Sequence, residues 1–470
     1  MRHENITPKN TVFAILSFEG PDSYATAGGL GVRVGHLAAT LARRGFPTHI
    51  FFIGDPHRPE EEATEQGRLI LHRWCQWISR HHPNGVYDGE ERKLADYDRS
   101  IPLFLTHHIA KPAVQNDRLV VVLGEEWHIA EAMCRVSDSL HYEGLRNQAV
   151  LFWNANNTFS FDRINWGRLN YTTTITTVSR YMKHLMWQWG VNPLVIPNGI
   201  PHGLLAGPDV ALTRELREAV GADVVLCKVA RWDPDKRWVQ AVQATARLKE
   251  MGRRTTLLAR GGIEPHHGEV MASARRMGLT IAEAWARDSS FESYLAAIRG
   301  AAPADIIDIR FPLASDFLQV VYHAADGVLA NSGREPFGLV GLEAMAAGGI
   351  VFTGGTGEDY ALPFVNAFVL ETADPMEIVG YISYIEKRPD EGIRMRRAAH
   401  ATARYFTWGK AAMNLVSRLE NQARAQGALA GALEPLVEDF TAARLPPSLL
   451  PSSPPSTGET AGGGRVPSVA

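Results

Sequence analysis

Glu335 and Glu343 stand eight positions apart in the stretch NSGREPFGLVGLEAMAAGG, residues 331–349, and Pro336-Phe337-Gly338-Leu339 between them reads as a turn running into a helix start. Gly348-Gly349 then closes that helix, as glycine commonly does past a C-terminus. A short helix that opens on small residues leaves amide N–H groups free at its N-terminus. Those amides, with the positive end of the helix dipole, attract an anion. One acid just ahead of the helix and another a turn inside it would bracket a bound phosphate. Amides for phosphates and carboxylates for sugar hydroxyls are what a phosphate-linked sugar nucleotide requires. Two solvated glutamates on an ordinary helix would show the same spacing, so the rest of the chain has to decide.

Arg231 and Lys236 frame a loop after an apolar run at 224–230, VVLCKVA. A fork-shaped guanidinium and a compact ammonium suit a diphosphate leaving group, which gains charge as its bond to the sugar breaks. A second candidate loop, Ala27-Gly28-Gly29-Leu30-Gly31, lets the backbone approach a ligand closely. Gly29-x-Gly31 followed by Gly35, with Asp55 ending the next strand, also admits a dinucleotide site, although a GxG alone is weak. The paired histidines at 81–82, 107–108 and 266–267 lack metal-ligand spacing.

Elements that could hold these loops follow from the apolar pattern. TVFAILS (11–17) fits a buried parallel strand, Leu30, Val34, Leu37, Ala38 and Leu41 fall at helical spacing, and THIFFI (48–53) is the next strand. That β-loop-α-β unit begins a doubly wound sheet. Further strands are expected at 119–123, 150–153 and 174–178, while residues 56–118 show weak periodicity and read as part of an acceptor-side surface. A second series runs through 224–230, 255–260, 306–311 and 327–332, with Asp233-Pro234 as N-cap and first helical position. The two α/β halves meet at a hinge near Pro197-Asn198-Gly199-Ile200-Pro201. The expected division is 1–200, 201–424 and a Pro/Ser/Gly-rich, disordered tail over 425–470.

Composition bounds the rest. With 470 residues, 45% hydrophobic and 21% charged, the chain is a globular protein too long for one ordinary core. A formal charge of −3 offers no electrostatic case for nucleic acid or an anionic membrane. Cys75, Cys134 and Cys227 are scattered and odd in number, which argues against a disulfide framework and for a reducing cytoplasm. The polar start MRHENITPKN has no apolar signal region, and no run of about 18 apolar residues is available to span a membrane.

Taken together, these stretches resemble family 4 glycosyltransferases, which include glycogen and sucrose synthases. Their signature is a glutamate, Pro/Phe/Gly, and a second glutamate eight positions on, here Glu335-Pro336-Phe337-Gly338-Leu339 and Glu343-Ala344-Met345-Ala346-Ala347-Gly348. Ile350 stands where that family usually has proline. Ala230-Arg231-Trp232-Asp233-Pro234-Asp235-Lys236 is similar to its G-R-L-x-x-x-K element, and Gly28-Gly29-Leu30-Gly31 to its G-G-L-G loop. Glu125-Glu126-Trp127-His128 resembles H-D-W-H of glycogen synthases, and Asn156 occupies the place of a family histidine near the reacting sugar.

The resemblance implies a GT-B fold, two Rossmann-like domains facing across a cleft. It implies a retaining, metal-free and cofactor-free transfer of a sugar, glucose as first guess, from a nucleotide diphosphate donor to a saccharide or other hydroxyl acceptor. Glu335, Arg231 and Lys236 are then catalytic. Glu343 holds the ribose, Gly338 and Leu339 meet the diphosphate through their amides, and Gly28, Gly29, Gly31, His128 and Asn156 bind substrate. Three alternatives stay open: a nucleotide-sugar epimerase, an NAD-dependent oxidoreductase built on the first half, and a non-catalytic sugar-nucleotide binder.

Overall fold

The computed structural model describes residues 3–355 and 357–433. Eight strands form the first sheet: β1 (Thr11–Leu16), β2 (Thr48–Ile53), β3 (Glu61–Thr64), β4 (Leu69–Trp74), β5 (Leu119–Glu125), β6 (Ala149–Ala155), β7 (Thr174–Thr177) and β8 (Leu194–Val195). Their order is β3-β4-β2-β1-β5-β6-β7-β8, parallel throughout except for the β3–β4 pair. β1 is buried at every position, as a strand covered on both faces must be. Val12, Ala14 and Leu16 point into one core, Phe13 and Ile15 into the other.

The second sheet holds β9 (Val224–Val229), β10 (Thr255–Arg260), β11 (Ile281–Ala284), β12 (Ile306–Ile309), β13 (Gly327–Ala330), β14 (Val351–Thr353) and β15 (Phe368–Val369). Its order is β11-β12-β10-β9-β13-β14-β15, parallel at every pairing. The strand order reverses between β1 and β5 in one sheet and between β9 and β13 in the other. Ligands of open α/β sheets bind at such points, beyond the carboxyl ends of the strands. The two doubly wound α/β halves expected from the sequence are what the chain forms.

Two expectations change. Residues 56–118 contain β3, β4 and the helix Glu90–Phe104 rather than surface alone. β4, LILHRW, hides from a hydropathy reading because Arg73 is buried in it. Its guanidinium is satisfied by Asp22 at 2.6 and 3.1 Å and by Glu62 at 2.6 Å, partners remote in sequence. The second correction concerns the boundaries. The chain crosses back to the first half, where the helix Trp408–Ala425 packs Trp408, Ala412, Leu415 and Leu419 into the core shared with the helix Gly29–Arg43. At the crossing, Ile200 N donates to Phe406 O (2.7 Å) and Trp408 N to Ile200 O (3.1 Å), so the hinge is a double connection. Residues 408–424 therefore belong with the first unit, not the second.

The expected tail divides. Residues 434–470 lie outside the described residues, but 426–430 are docked: Leu429 is buried and Ala430 N donates to His3 O at 2.8 Å. A chain ending at residue 425 is expected to melt below one ending at residue 433. The difference is about 2 kcal/mol for the lost Leu429 burial, read by thermal unfolding of the two proteins side by side. Equal melting temperatures would show that this docking contributes nothing.

Candidate active site

The second-half wall is built by the loops after β9 and β13. Gly338, at φ 79° and ψ 59°, supplies the left-handed turn that opens the helix Leu339–Ala346, and no side chain caps that helix. The Tyr360 hydroxyl donates to Gly338 O at 2.6 Å and fixes the turn. Asp235 joins the two loops. Its carbonyl accepts from Gly333 N at 2.8 Å, and its carboxylate accepts from Arg334 N at 3.0 and 3.2 Å. These contacts bring Lys236 Nζ to 3.2 Å from Glu335 Oε1. Arg231, exposed on the same loop, makes no ion pair among the described residues. Glu343 lies one turn into the helix. Burial, reinforced by the charge of Glu335, raises its carboxyl to about 7. The structure thus brings Lys236, Glu335, Gly338, Leu339 and Glu343 to one helix start, with Arg231 exposed on the loop that carries Lys236, and Ile350 where proline was expected is simply buried before β14.

The first-half wall departs from expectation. The amides of Ala27, Gly28 and Gly31 are already engaged: all three donate to Glu19 Oε2, at 3.2, 3.1 and 3.1 Å. Glu19 is itself buried, and its Oε1 accepts from the Tyr87 hydroxyl at 2.6 Å. A phosphate seated on these amides would have to displace a buried carboxylate, so in this structure the amides of Gly28 and Gly31 shape the loop. Gly31 is required by close packing, since a Cβ there would meet Gly20 O at 2.7 Å. Gly28 and Gly29 are exposed with open space beside them, so contact with a ligand surface remains available to both.

His128 is buried between Phe18 and Trp127, at ring centroid distances of 4.2 and 3.8 Å, and its Nε2 meets Glu90 at 2.6 Å. Burial lowers its pKa against the pull of Glu90, and Nδ1 has no partner among the described residues. Asn156 donates through Nδ2 to Glu125 Oε2 at 2.8 Å, and its Oδ1 is likewise unpartnered. Behind it, Arg33 pairs with Glu125 at 3.1 and 3.3 Å and also donates to Asn198 of the hinge.

Sequence reasoning underrated Glu126. It follows β5 at φ 71° and ψ 169°, a region that side chains other than glycine's rarely occupy. Its Oε1 accepts from Asn156 N at 2.5 Å and from Asn157 N at 3.2 Å, while Oε2 is buried without a partner among the described residues. Burial raises its carboxyl to about 8, with Glu125 adding to the effect. A strained, buried acid with an orphaned oxygen, on the same wall as the orphaned atoms of His128 and Asn156, makes this wall a candidate ligand site. Nothing in the sequence pattern reveals the strain. The clamp between the halves was also missed: Arg180, beyond β7, reaches Asp359 at 3.0 Å and Glu358 O at 2.7 Å beyond β14. Loops at the carboxyl ends of both sheets therefore face each other.

Comparison with known proteins bears on this geometry. Residues 305–403 match the family model Glycosyl transferases group 1. A D-inositol 3-phosphate glycosyltransferase of Streptomyces scabiei is 32% identical over 114 residues, a stretch that spans 23% of this chain and only 25% of that relative. The fold is similar to sucrose-phosphate synthase from Thermosynechococcus elongatus (TM-score 0.60, 17% identity, 88% of this chain and 99% of that one). It is similar also to the catalytic domain of Starch Synthase IV from Arabidopsis thaliana bound to ADP and acarbose (TM-score 0.61, 16% identity, 88% and 100% covered). A third likeness is Anabaena HepE in complex with UDP (TM-score 0.58, 14% identity, 87% and 99% covered). Among the described residues no helix is long and apolar enough to cross a membrane.

Proposed function

We propose that this chain, which carries a group 1 glycosyltransferase domain within a GT-B-like fold, moves a glycosyl group, glucose in the first instance, from a nucleoside diphosphate donor to an acceptor hydroxyl, with retention of configuration and without a metal. The observation that carries the reading is the joined pair of loops that sets Lys236 against Glu335 beside Arg231 and the uncapped start of the helix Leu339–Ala346.

Each group has a task. As the bond between sugar and diphosphate breaks, negative charge grows on the leaving oxygen, and Arg231 and Lys236 supply fixed positive charge there. The amides at Gly338 and Leu339 take the phosphate oxygens. Glu335, paired with Lys236 in the free protein, is released toward the sugar hydroxyls once Lys236 turns to the phosphates. Glu343 accepts from the ribose hydroxyls. On the facing wall, Tyr87, Trp127 and the exposed Phe159 offer ring faces to an acceptor, and Glu126, His128 Nδ1 and Asn156 Oδ1, buried in the free protein, become its hydrogen-bonding partners once side chains on that wall move. Beside that wall Arg33 is committed to Glu125 in a buried pair, whereas Arg163 meets Glu91 at the surface. The acceptor proposed is a saccharide hydroxyl.

The diphosphate site is already cationic, so an added divalent ion would be repelled rather than recruited; enzymes that need one hold it with clustered carboxylates. The test is a thermal-shift panel of UDP-, ADP- and GDP-sugars in excess EDTA. At least one donor is expected to raise the melting temperature, because it binds only the folded state, and turnover with that donor is expected to persist in EDTA. Turnover lost in EDTA and restored by magnesium or manganese would mean that the diphosphate site is misplaced.

A further inference from the structure

Lys228 lies on β9, 1% exposed, and none of the roles above uses it. A lysine in the middle strand of a buried sheet is costly unless its amine is paired. Its Nζ donates to Leu329 O at 3.0 Å and to Asn331 Oδ1 at 2.6 Å, and sits 5.4 Å from the centroid of the Trp238 ring. Two neutral acceptors satisfy the two protons of an amine and leave the third proton of an ammonium without one. Asn331 passes the contact on: its Nδ2 donates to Gln240 Oε1 at 2.7 Å, and Gln240 Nε2 reaches the carbonyls of Thr372 and Asp374 at 3.4 and 3.3 Å.

The location gives this network its meaning. β9 and β13 flank the point where the strand order of the second sheet reverses. Beyond Lys228 the chain runs directly into Arg231 and Lys236; beyond Asn331 it runs directly into Glu335 and Gly338. The amine therefore ties together the roots of the two loops that form the donor wall.

Resting on the reading of that wall as the donor site, we propose that Lys228 is a buried positioning residue that takes up a proton when the donor diphosphate binds, so that its charge and its hold on Asn331 reach full strength only in the nucleotide complex. In the free protein, burial pulls the amine down to about 7; Glu335 opposes this, and Lys236 and Arg237 press it the same way as burial, while the Cys227 thiol, pushed up to about 12, carries no charge at that pH. The side chains touching it from β13 and from the helix Trp238–Glu250 are neutral: Asn331 and Trp238 directly, Gln240 through Asn331. A diphosphate over Arg231 and Lys236 offsets their repulsion and adds negative charge of its own. Binding then favours the ammonium, and by linkage protonation favours binding.

Calorimetric titration of the full chain with UDP, ADP and GDP near pH 8, in two buffers of different ionisation enthalpy, counts the protons exchanged. For a nucleotide that binds, uptake of up to about one proton is expected, with affinity falling about tenfold per pH unit above 7 until the amine of the complex also deprotonates. Lys228→Met is expected to lose both the uptake and the pH dependence. Lys228→Arg, a permanent cation, is expected to bind without uptake, which a merely structural role would not produce. Glu343 titrates in the same range, so the comparison with Lys228→Met assigns the proton. Nucleotide binding by the wild type with no proton uptake, or uptake unchanged in Lys228→Met, overturns the inference. If none of the three nucleotides binds the wild type, the donor-site reading itself fails.

Discussion

Lys236→Ala and Glu335→Gln each lower turnover by about two to three orders of magnitude while the protein stays folded. A charged contact that strengthens as the leaving group ionises is worth about 3–4 kcal/mol in a water-poor site. Lys236 is such a contact for the diphosphate. Glu335 orients the sugar that departs from it, and the 3.2 Å pair between them keeps both pre-placed before the donor arrives. Because the two act as one unit, the double variant should lose far less than the sum of the single losses. Turnover numbers at saturating donor, with circular dichroism to establish folding, decide the matter. Near wild-type rates in folded variants would remove both residues from the chemistry.

Glu126→Gln is expected to make the protein more stable at alkaline pH and less active at every pH. The folded carboxyl keeps its proton to about 8, whereas a carboxyl in the unfolded chain releases it near 4.5. Between those values the folded state binds more protons, so wild-type stability falls as pH rises from 4.5 to 8 and levels off above. The upper bound on that loss is about 5 kcal/mol. Glutamine can still accept from Asn156 N and Asn157 N and has no proton to lose. Its advantage in melting temperature should therefore be absent near pH 4.5 and greatest above pH 8. The acceptor loses a hydrogen-bonding partner, which should reduce kcat/KM by about tenfold. A variant less stable than wild type at pH 8.5 would show that the carboxylate is ionised and paired.

What the sequence made legible and what it concealed divide on physical grounds. β2 and β10 match their expected bounds residue for residue, because a strand buried on both faces is mostly apolar and stands out from its polar flanks. The signature helix was legible because Gly338 and Gly348, both at positive φ, punctuate it where few other residues could. β4 was not legible, because Arg73 is neutralised by Asp22 from another part of the chain. The glycine loop misled for the same kind of reason: its composition suits an anion, but the anion is Glu19 of the same chain. The helix Trp408–Ala425 has an ordinary amphipathic pattern that says only that one face is buried, not against which sheet. Glu126 could be read as an acid after a strand, while the backbone strain that singles it out exists only in the folded chain.

The central claim is transfer of a sugar from a nucleoside diphosphate. Its most direct measurement is release of UDP, ADP or GDP from the matching sugar donors, with neutral saccharide acceptors and their phosphorylated counterparts supplied in parallel, and the product weighed by mass spectrometry. The account predicts nucleotide release that depends on acceptor, a product heavier than the neutral acceptor by one glycosyl unit, and loss of both in Glu335→Gln. Conversion of the donor with no acceptor present would instead indicate an epimerase. Donor binding without any product would leave a sugar-nucleotide binder, and either result would contradict the account.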